Sequence, residues 1–243
     1  MAKDMTRPGW SVGIVVPACN EEATVEACID SIRGALAECA EVVSSWIVVV
    51  ADSCVDSTAE LATAALGEGG TVVECSVASP GLARRRGASE VLRYFATQPQ
   101  EHIWIANTDA DSRPHSDWIM RQLQLANDDY CGVAGIVRMQ PADVDRPEIL
   151  QAFLSDYAVY ADGSHPHVHG ANLGIRADAY MDAGGWGDLA VAEDHALWTC
   201  VRARGWHVIS SIASVVTTSG RLCGRARGGF ADALRRKTEL LYA

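Results

Sequence analysis

Apolar and polar positions follow one another along this chain in blocks of changing period, and the changes predict its elements. Residues 11–17 are an apolar run stopped by Pro17, the pattern of a buried strand. Over 21–36, Val25, Ile29, Ile32 and Leu36 recur at helical spacing and share one face. The run 46–51 predicts a second buried strand, and Asp56, Ser57 and Thr58 open a helix that ends in the glycines near 67–70. Residues 71–75 predict a third strand, 81–95 a third helix and 103–106 a fourth strand. This alternation of strand and helix predicts an α/β fold with a mostly parallel, doubly wound central sheet. Such sheets bind ligands beyond the carboxyl ends of their strands. Residues 17–20, Asp52 and residues 109–111 all fall at such ends.

Beyond residue 111 the alternation breaks down. Residues 132–139 predict another strand, 141–147 an acidic loop bounded by prolines, 147–160 a helix and 163–169 a loop rich in glycine and histidine. No linker-like composition, internal repeat or low-complexity tract divides the sequence. One domain spanning 1–243 is therefore expected, with a nucleotide-binding half over about 10–111 and an acceptor half over about 112–243.

Composition narrows the functional classes. The 243 residues are 49% hydrophobic and 21% charged, as in a globular protein with a sizeable core. A formal net charge of −11 argues against a nucleic-acid partner, so an anionic ligand must be held by local devices. Residues 1–8 are polar and do not read as a signal peptide, and the run 46–51 is too short to span a bilayer. The eight cysteines form no C-x-x-C pair and read as buried free thiols of a cytoplasmic protein.

Candidate chemistry starts from Asp109 and Asp111. In an extended segment residues i and i+2 point to one side, so the two carboxylates can approach one hard cation. A cation held by few carboxylates keeps positions open for phosphate oxygens, which makes a nucleoside-diphosphate site the first hypothesis. At the first strand end, Pro17, Ala18 and Glu21 offer exposed backbone to a base or ribose, or simply cap a helix. Asp52 is placed to accept from a base N–H or a ribose hydroxyl, while Asp56 reads as a helix-initiating acid. Of Arg84, Arg85 and Arg86, one or two are expected to point inward. Glu193 and Asp194 precede a helical segment, 196–204, and either cap it or present acids to a ligand. Gly170 and Asn172 lie in a tight-turn region, and Trp186 offers a ring to a sugar or to the core. His165, His167 and His169 alternate and share a side if extended; with no cysteine or carboxylate nearby, acceptor contacts or loop hydrogen bonds are preferred to zinc. The basic stretch 221–237, with Arg221 and Arg225, reads as a lid over a diphosphate or as a basic end facing solvent or a membrane surface.

The ordered set P-A-C-N-E-E, A-D-S-C-V-D-S-T, G-L-A-R-R-R-G-A, N-T-D-A-D-S and A-E-D-H-A-L-W resembles family 2 glycosyltransferases of the GT-A fold across nearly the whole chain. The segment from His167 to Tyr180, with H-G-A-N-L-G, resembles a small bacterial subgroup. The resemblance implies that Pro17, Ala18 and Glu21 form the first nucleotide-contacting turn, that Asp52 reads the base, and that Arg84 lies near the nucleotide. It implies that Asp109 and Asp111 hold Mg²⁺ or Mn²⁺, with Asp111 the direct ligand and Asp109 a partner to ribose or to a metal-bound water. It makes Asp194, beside Glu193, the base of an inverting transfer, and places His169, Gly170, Asn172 and Trp186 around the acceptor or donor sugar. The implied partners are a nucleoside-diphosphate sugar and a small-molecule or lipid-linked acceptor, with peripheral membrane contact allowed. Two departures stand out: Ala51, where many relatives carry another acid, and residues 215–219, which lack a histidine that some relatives use as a third metal ligand. The alternatives are a sugar-phosphate nucleotidyltransferase, whose glycine-rich loop with a basic residue is missing after the first strand, and a non-catalytic nucleotide-sugar-binding protein of the same fold.

Overall fold

A computed structural model describes residues 9–140, 157–189 and 191–221. In chain order the elements are β1 (Trp10–Ala18), α1 (Val25–Ala37), β2 (Val42–Asp52), α2 (Thr58–Leu66), β3 (Gly70–Cys75), α3 (Pro80–Tyr94) and β4 (Ile103–Asn107). They continue with β5 (Ser112–Pro114), α4 (Trp118–Asn127), β6 (Gly132–Met139), β7 (Leu173–Arg176), α5 (Ala177–Asp182), α6 (Glu193–Ala203) and β8 (Val208–Thr218). The eight strands form one sheet in the order β3-β2-β1-β4-β7-β6-β8-β5. The pairs β2/β3, β1/β2, β1/β4 and β6/β8 are parallel; β4/β7, β6/β7 and β5/β8 are antiparallel.

Alternation along the strands explains why both faces are covered. Val12, Ile14 and Val16 of β1, with Ile47 and Val49 of β2 and Trp104 of β4, pack into one core with α1, α2 and α4. Val15, Val48, Val50, Ile103 and Ile105 point the other way and pack with α3, α5 and α6. Strands buried on both faces read as continuous apolar runs, which is why β1, β2 and β4 were visible in the sequence. Each such Val or Ile stabilises the fold by about 1.5–3 kcal/mol relative to exposure.

The second half differs in detail from the expectation. Helix α4 and strands β5, β7 and β8 appear where none was predicted. Most of the helix expected over 147–160 lies outside the described residues, and 157–160 are not helical. Between β6 and β8 the register jumps, from Gly135 opposite Ser211 to Ile136 opposite Val215. The ladder is interrupted there, and Asn172 repairs it. Its Nδ2 donates to Ile136 O (2.8 Å) and Ser214 O (3.0 Å), and its Oδ1 accepts from Trp118 Nε1 (2.9 Å) and Ser214 Oγ (3.0 Å).

Candidate active site

The first two strand ends are stitched to each other. Val55 N–H donates to Asn20 Oδ1 (2.8 Å), Glu21 N–H to Thr58 Oγ1 (2.7 Å) and Ser57 N–H to Glu22 Oε2 (3.1 Å). Asp56 accepts from Thr58 N–H and Glu22 N–H, so it organises this junction as well as opening α2. Pro17 is half-buried and Ala18 buried at the end of β1.

Asp52 closes the next loop. Its Oδ1 accepts from Val77 N–H (2.8 Å) and Ala78 N–H (3.0 Å), and its Oδ2 from Ser79 N–H (3.1 Å). Ala78 has a left-handed φ of 50°, a conformation that carries strain for a side chain with a Cβ and that these bonds hold in place. Ser79 then caps α3 by accepting from Leu82 N–H (3.4 Å), with Pro80 opening the helix. The carboxylate expected to read a base is thus engaged by backbone that positions α3, and only Oδ2 has capacity to spare.

Helix α3 carries Arg84 into the centre of the site. The guanidinium is buried, with Nη2 2.6 Å from Asp109 Oδ1 and Nη1 2.6 Å from Glu193 Oε1. Burial opposes its charge, but Asp109, Glu193 and Asp194 together raise its pKa further. Its Cζ sits 5.2 Å from the Trp186 ring centroid. Gly170 lies against the same group: a Cβ there would fall 2.6 Å from Arg84 Cζ, so only glycine permits this approach.

Asp109 and Asp111 come together differently from the strand-end expectation. β4 stops at Asn107, and Ser112 N–H donates to Asp109 O (3.0 Å), closing a turn that carries both acids. Cys28 donates its thiol to the same carbonyl (3.3 Å), and burial, then Asp111, Asp109 and Glu21, push that thiol's pKa up. Those three carboxylates therefore share one neighbourhood. Burial, then Asp109, push the Asp111 carboxyl up to about 6, while Arg221 pulls it down. Arg221 Nη2 lies 2.9 Å from Asp111 Oδ2 and 2.6 Å from Glu21 Oε1, and its Nη1 3.0 Å from Glu21 Oε2. Arg225 lies outside the described residues.

Across the site, α6 begins with Glu193 and Asp194, following Ala192 at φ 60°. Asp194 Oδ2 accepts from Gly170 N–H (2.9 Å). Beside it, His169 Nε2 pairs with the Tyr157 hydroxyl (3.0 Å), which accepts from Val137 N–H (3.2 Å). The Tyr157 hydroxyl, with one donor and two acceptor sites, thus joins the β6 backbone to the His169 ring. Burial holds the His169 pKa down to about 4, against the pull of Asp194. The rings of Tyr157 and His167 stack with centroids 4.0 Å apart, and those of His167 and His169 lie 5.9 Å apart and near parallel.

Two sequence candidates take structural places. Trp186 has no exposed surface and lies beneath Arg84, so its ring presents no face to a sugar. Asn172 is equally buried and committed to the β8 bulge. Two contributors escaped the sequence: Tyr157, whose hydroxyl pairs with His169 Nε2, and Thr218, whose hydroxyl lies 3.5 Å from Asp111 Oδ1. The T-T-S end of β8 was the available signal for Thr218; Tyr157 gave none.

Asp109 and Asp111 are hard oxygen donors, and the raised pKa of Asp111 is that of a carboxylate buried first of all and set beside the like charge of Asp109. Both features fit Mg²⁺ or Mn²⁺. Among the described residues no group of three or more His, Cys, Asp and Glu is arranged to hold a metal, so any cation there relies on ligands beyond this pair.

No curated protein matches the chain by sequence. Among solved structures, S. aureus TarS residues 1–349 in complex with UDP-GlcNAc superposes with a TM-score of 0.64 at 11% identity, covering 90% of this chain and 61% of that one. A mannosyltransferase from Pyrobaculum calidifontis, in complex with GDP-Man and Mn²⁺, gives 0.62 at 21% identity, covering 95% and 61%. The M. tuberculosis glucosyl-3-phosphoglycerate synthase gives 0.52 at 21% identity, covering 94% and 81%. The chain thus spans about three fifths of the length of the first two, 61% in each case. At these identities the likeness establishes the fold, a GT-A arrangement around a mostly parallel sheet. The family profile described as glycosyltransferase like family 2 matches residues 8–238, nearly the full sequence, and the chain belongs to that family.

Proposed function

We propose that the protein transfers a sugar from a nucleoside-diphosphate sugar to an acceptor hydroxyl, with inversion, using Asp194 as the base. The observation that carries this reading is the Arg84 bridge. One guanidinium holds Asp109 on the nucleotide side and Glu193 beside Asp194 on the other, which fixes the distance between leaving group and base. Positioning of this kind is a large part of catalysis between two bound reactants.

The geometry supports the following roles. Glu193 is committed to Arg84 and acts as a positioning residue, leaving Asp194 to receive the acceptor proton. Gly170 N–H orients Asp194 through Oδ2. His169, kept neutral by burial, lies beside it and would contact the acceptor. Glu21, Pro17, Ala18 and the free capacity of Asp52 Oδ2 line the nucleotide side, and Arg221 faces the diphosphate position. Asp109 and Asp111 would hold Mg²⁺ or Mn²⁺, which as a Lewis acid stabilises the charge that develops on a departing diphosphate. The complexes of two neighbours with UDP-GlcNAc and with GDP-Man and Mn²⁺ support a nucleotide-sugar donor and a divalent cation. Family membership favours glycosyl transfer over nucleotidyl transfer. The acceptor in this reading is a small molecule or a lipid-linked compound; no described helix is long and apolar enough to cross a membrane.

The test is release of nucleoside diphosphate from a panel of nucleotide sugars with Mn²⁺, comparing wild type with Asp111→Asn and Asp194→Asn. Turnover that depends on the cation and on both acids supports the proposal. Full activity in both variants, or no turnover of any donor, contradicts it.

A further inference from the structure

The contact between Arg221 and Asp111 has a consequence for cation binding. Arg221 straddles two elements: its fork engages both oxygens of the buried Glu21, and Nη2 also reaches Asp111 Oδ2. The backbone is drawn to the same place, since Arg221 N–H donates to Ser219 Oγ (3.3 Å) and Ser219 N–H donates to Asp111 O (3.2 Å). The other Asp111 oxygen faces Ser112 Oγ at 3.3 Å and Thr218 Oγ1 at 3.5 Å. Oδ2 is therefore the oxygen available to a strong ligand, and a positive group already lies against it. A divalent ion bound directly to a carboxylate oxygen sits about 2.0–2.6 Å away. A guanidinium 2.9 Å from that oxygen would compete for the same lone pairs and repel the ion.

We propose that Arg221 and a divalent cation are alternative occupants of Asp111 Oδ2. The guanidinium is the built-in counter-ion of the free protein, and cation binding breaks the Arg221–Asp111 contact while Glu21 retains its hold on the arginine. Apparent cation affinity is then lowered by the fraction of molecules in which Arg221 is engaged. The inference rests on the cation reading of Asp109 and Asp111 given above. It assigns Arg221 a role in setting how much cation the site requires, in addition to any contact with a diphosphate.

The experiment is a Mn²⁺ titration followed by electron paramagnetic resonance, on the full chain without donor, for wild type, Arg221→Ala, Arg221→Lys and Asp111→Asn. Arg221→Ala is expected to bind Mn²⁺ about two- to fivefold more tightly than wild type, the range for losing one partly exposed ion-pair contact. Arg221→Lys keeps the charge and loses the two-pronged fork, so it should fall between wild type and the alanine variant. Binding should collapse in Asp111→Asn. A lysine variant that matches wild type would reduce the effect to net charge and overturn the inference, as would equal or weaker binding in both Arg221 variants. If no form binds Mn²⁺, the cation reading itself falls and the inference with it. Saturable binding that needs Asp111 but ignores Arg221 removes the inference alone.

Discussion

Arg84 and Glu193 stand 109 positions apart in the chain and 2.6 Å apart in the fold. The second amino group of the same guanidinium reaches Asp109 at 2.6 Å. A helix on one face of the sheet is thereby tied both to the turn after β4 and to the start of α6. The tie is electrostatic; Arg84 and Glu193 are buried, while Asp109 is exposed to solvent on one side.

Removing the arginine should therefore cost more than removing a surface charge. Arg84→Ala leaves the buried Glu193 without its partner, while solvent screens Asp109, and a loss of about 2–4 kcal/mol in urea unfolding is expected. Arg84→Lys restores charge but not two divergent donors, and should recover only part of it. A loss below about 1 kcal/mol for the alanine variant, the range of an exposed ion pair, would contradict the buried-bridge description.

Asp52 separates a structural from a recognition role. Asp52→Ala leaves the amide N–H groups of Val77, Ala78 and Ser79 without their acceptor, and a loss of about 1–3 kcal/mol is expected with weaker donor binding. If Asp52 served only to read a base, the substitution would shift preference between uridine and guanosine donors and leave unfolding unchanged. Chemical denaturation beside a nucleotide-binding titration distinguishes the two.

Trp186 makes a parallel case. With its ring fully buried under Arg84, Trp186→Ala should cost about 3–5 kcal/mol of stability, as for other large aromatic deletions from a core. A stable variant with a raised KM for one substrate would instead mean that the ring meets a sugar.

The pH dependence of stability carries the signature of His169. Its folded pKa of about 4 lies below the usual imidazole value, so its contribution is complete above about pH 6.5 and is lost as pH falls toward 4. Asp194 and the imidazoles of His165, His167 and His195 face it and share in that shift. In metal-free buffer, the stability difference between wild type and His169→Gln should change by up to about 1.4 kcal/mol per pH unit across that window, with wild type losing more on acidification. Parallel curves for the two proteins would contradict a buried neutral His169.

The N-terminal half was legible because β1, β2 and β4 carry runs buried on both faces and α1 carries a regular apolar stripe. Ser112–Pro114 and Leu173–Arg176 are too short to show a period, and the bulge in Val208–Thr218 breaks the alternation that would have marked it. Helix α4 did carry a helical face, Trp118, Ile119, Leu123 and Ala126, with the buried Gln122 interrupting it. At the site, the acids stood out as motifs, but their partners did not. Nothing local to Glu193 points to Arg84, and nothing local to Arg221 points to Glu21; only the sheet topology brings them together. The two aspartates were found for a reason the fold corrects, since a turn and not an extended strand end places them side by side.

The most direct test of the central claim is the initial rate of nucleoside diphosphate release from nucleotide sugars with Mn²⁺, for wild type against Asp194→Asn. The account predicts measurable turnover of at least one donor by wild type, with a rate about 10²–10⁴-fold lower in the variant, the usual contribution of a general base, and unchanged donor affinity. Equal rates for the two proteins would contradict the assignment of Asp194 as the base.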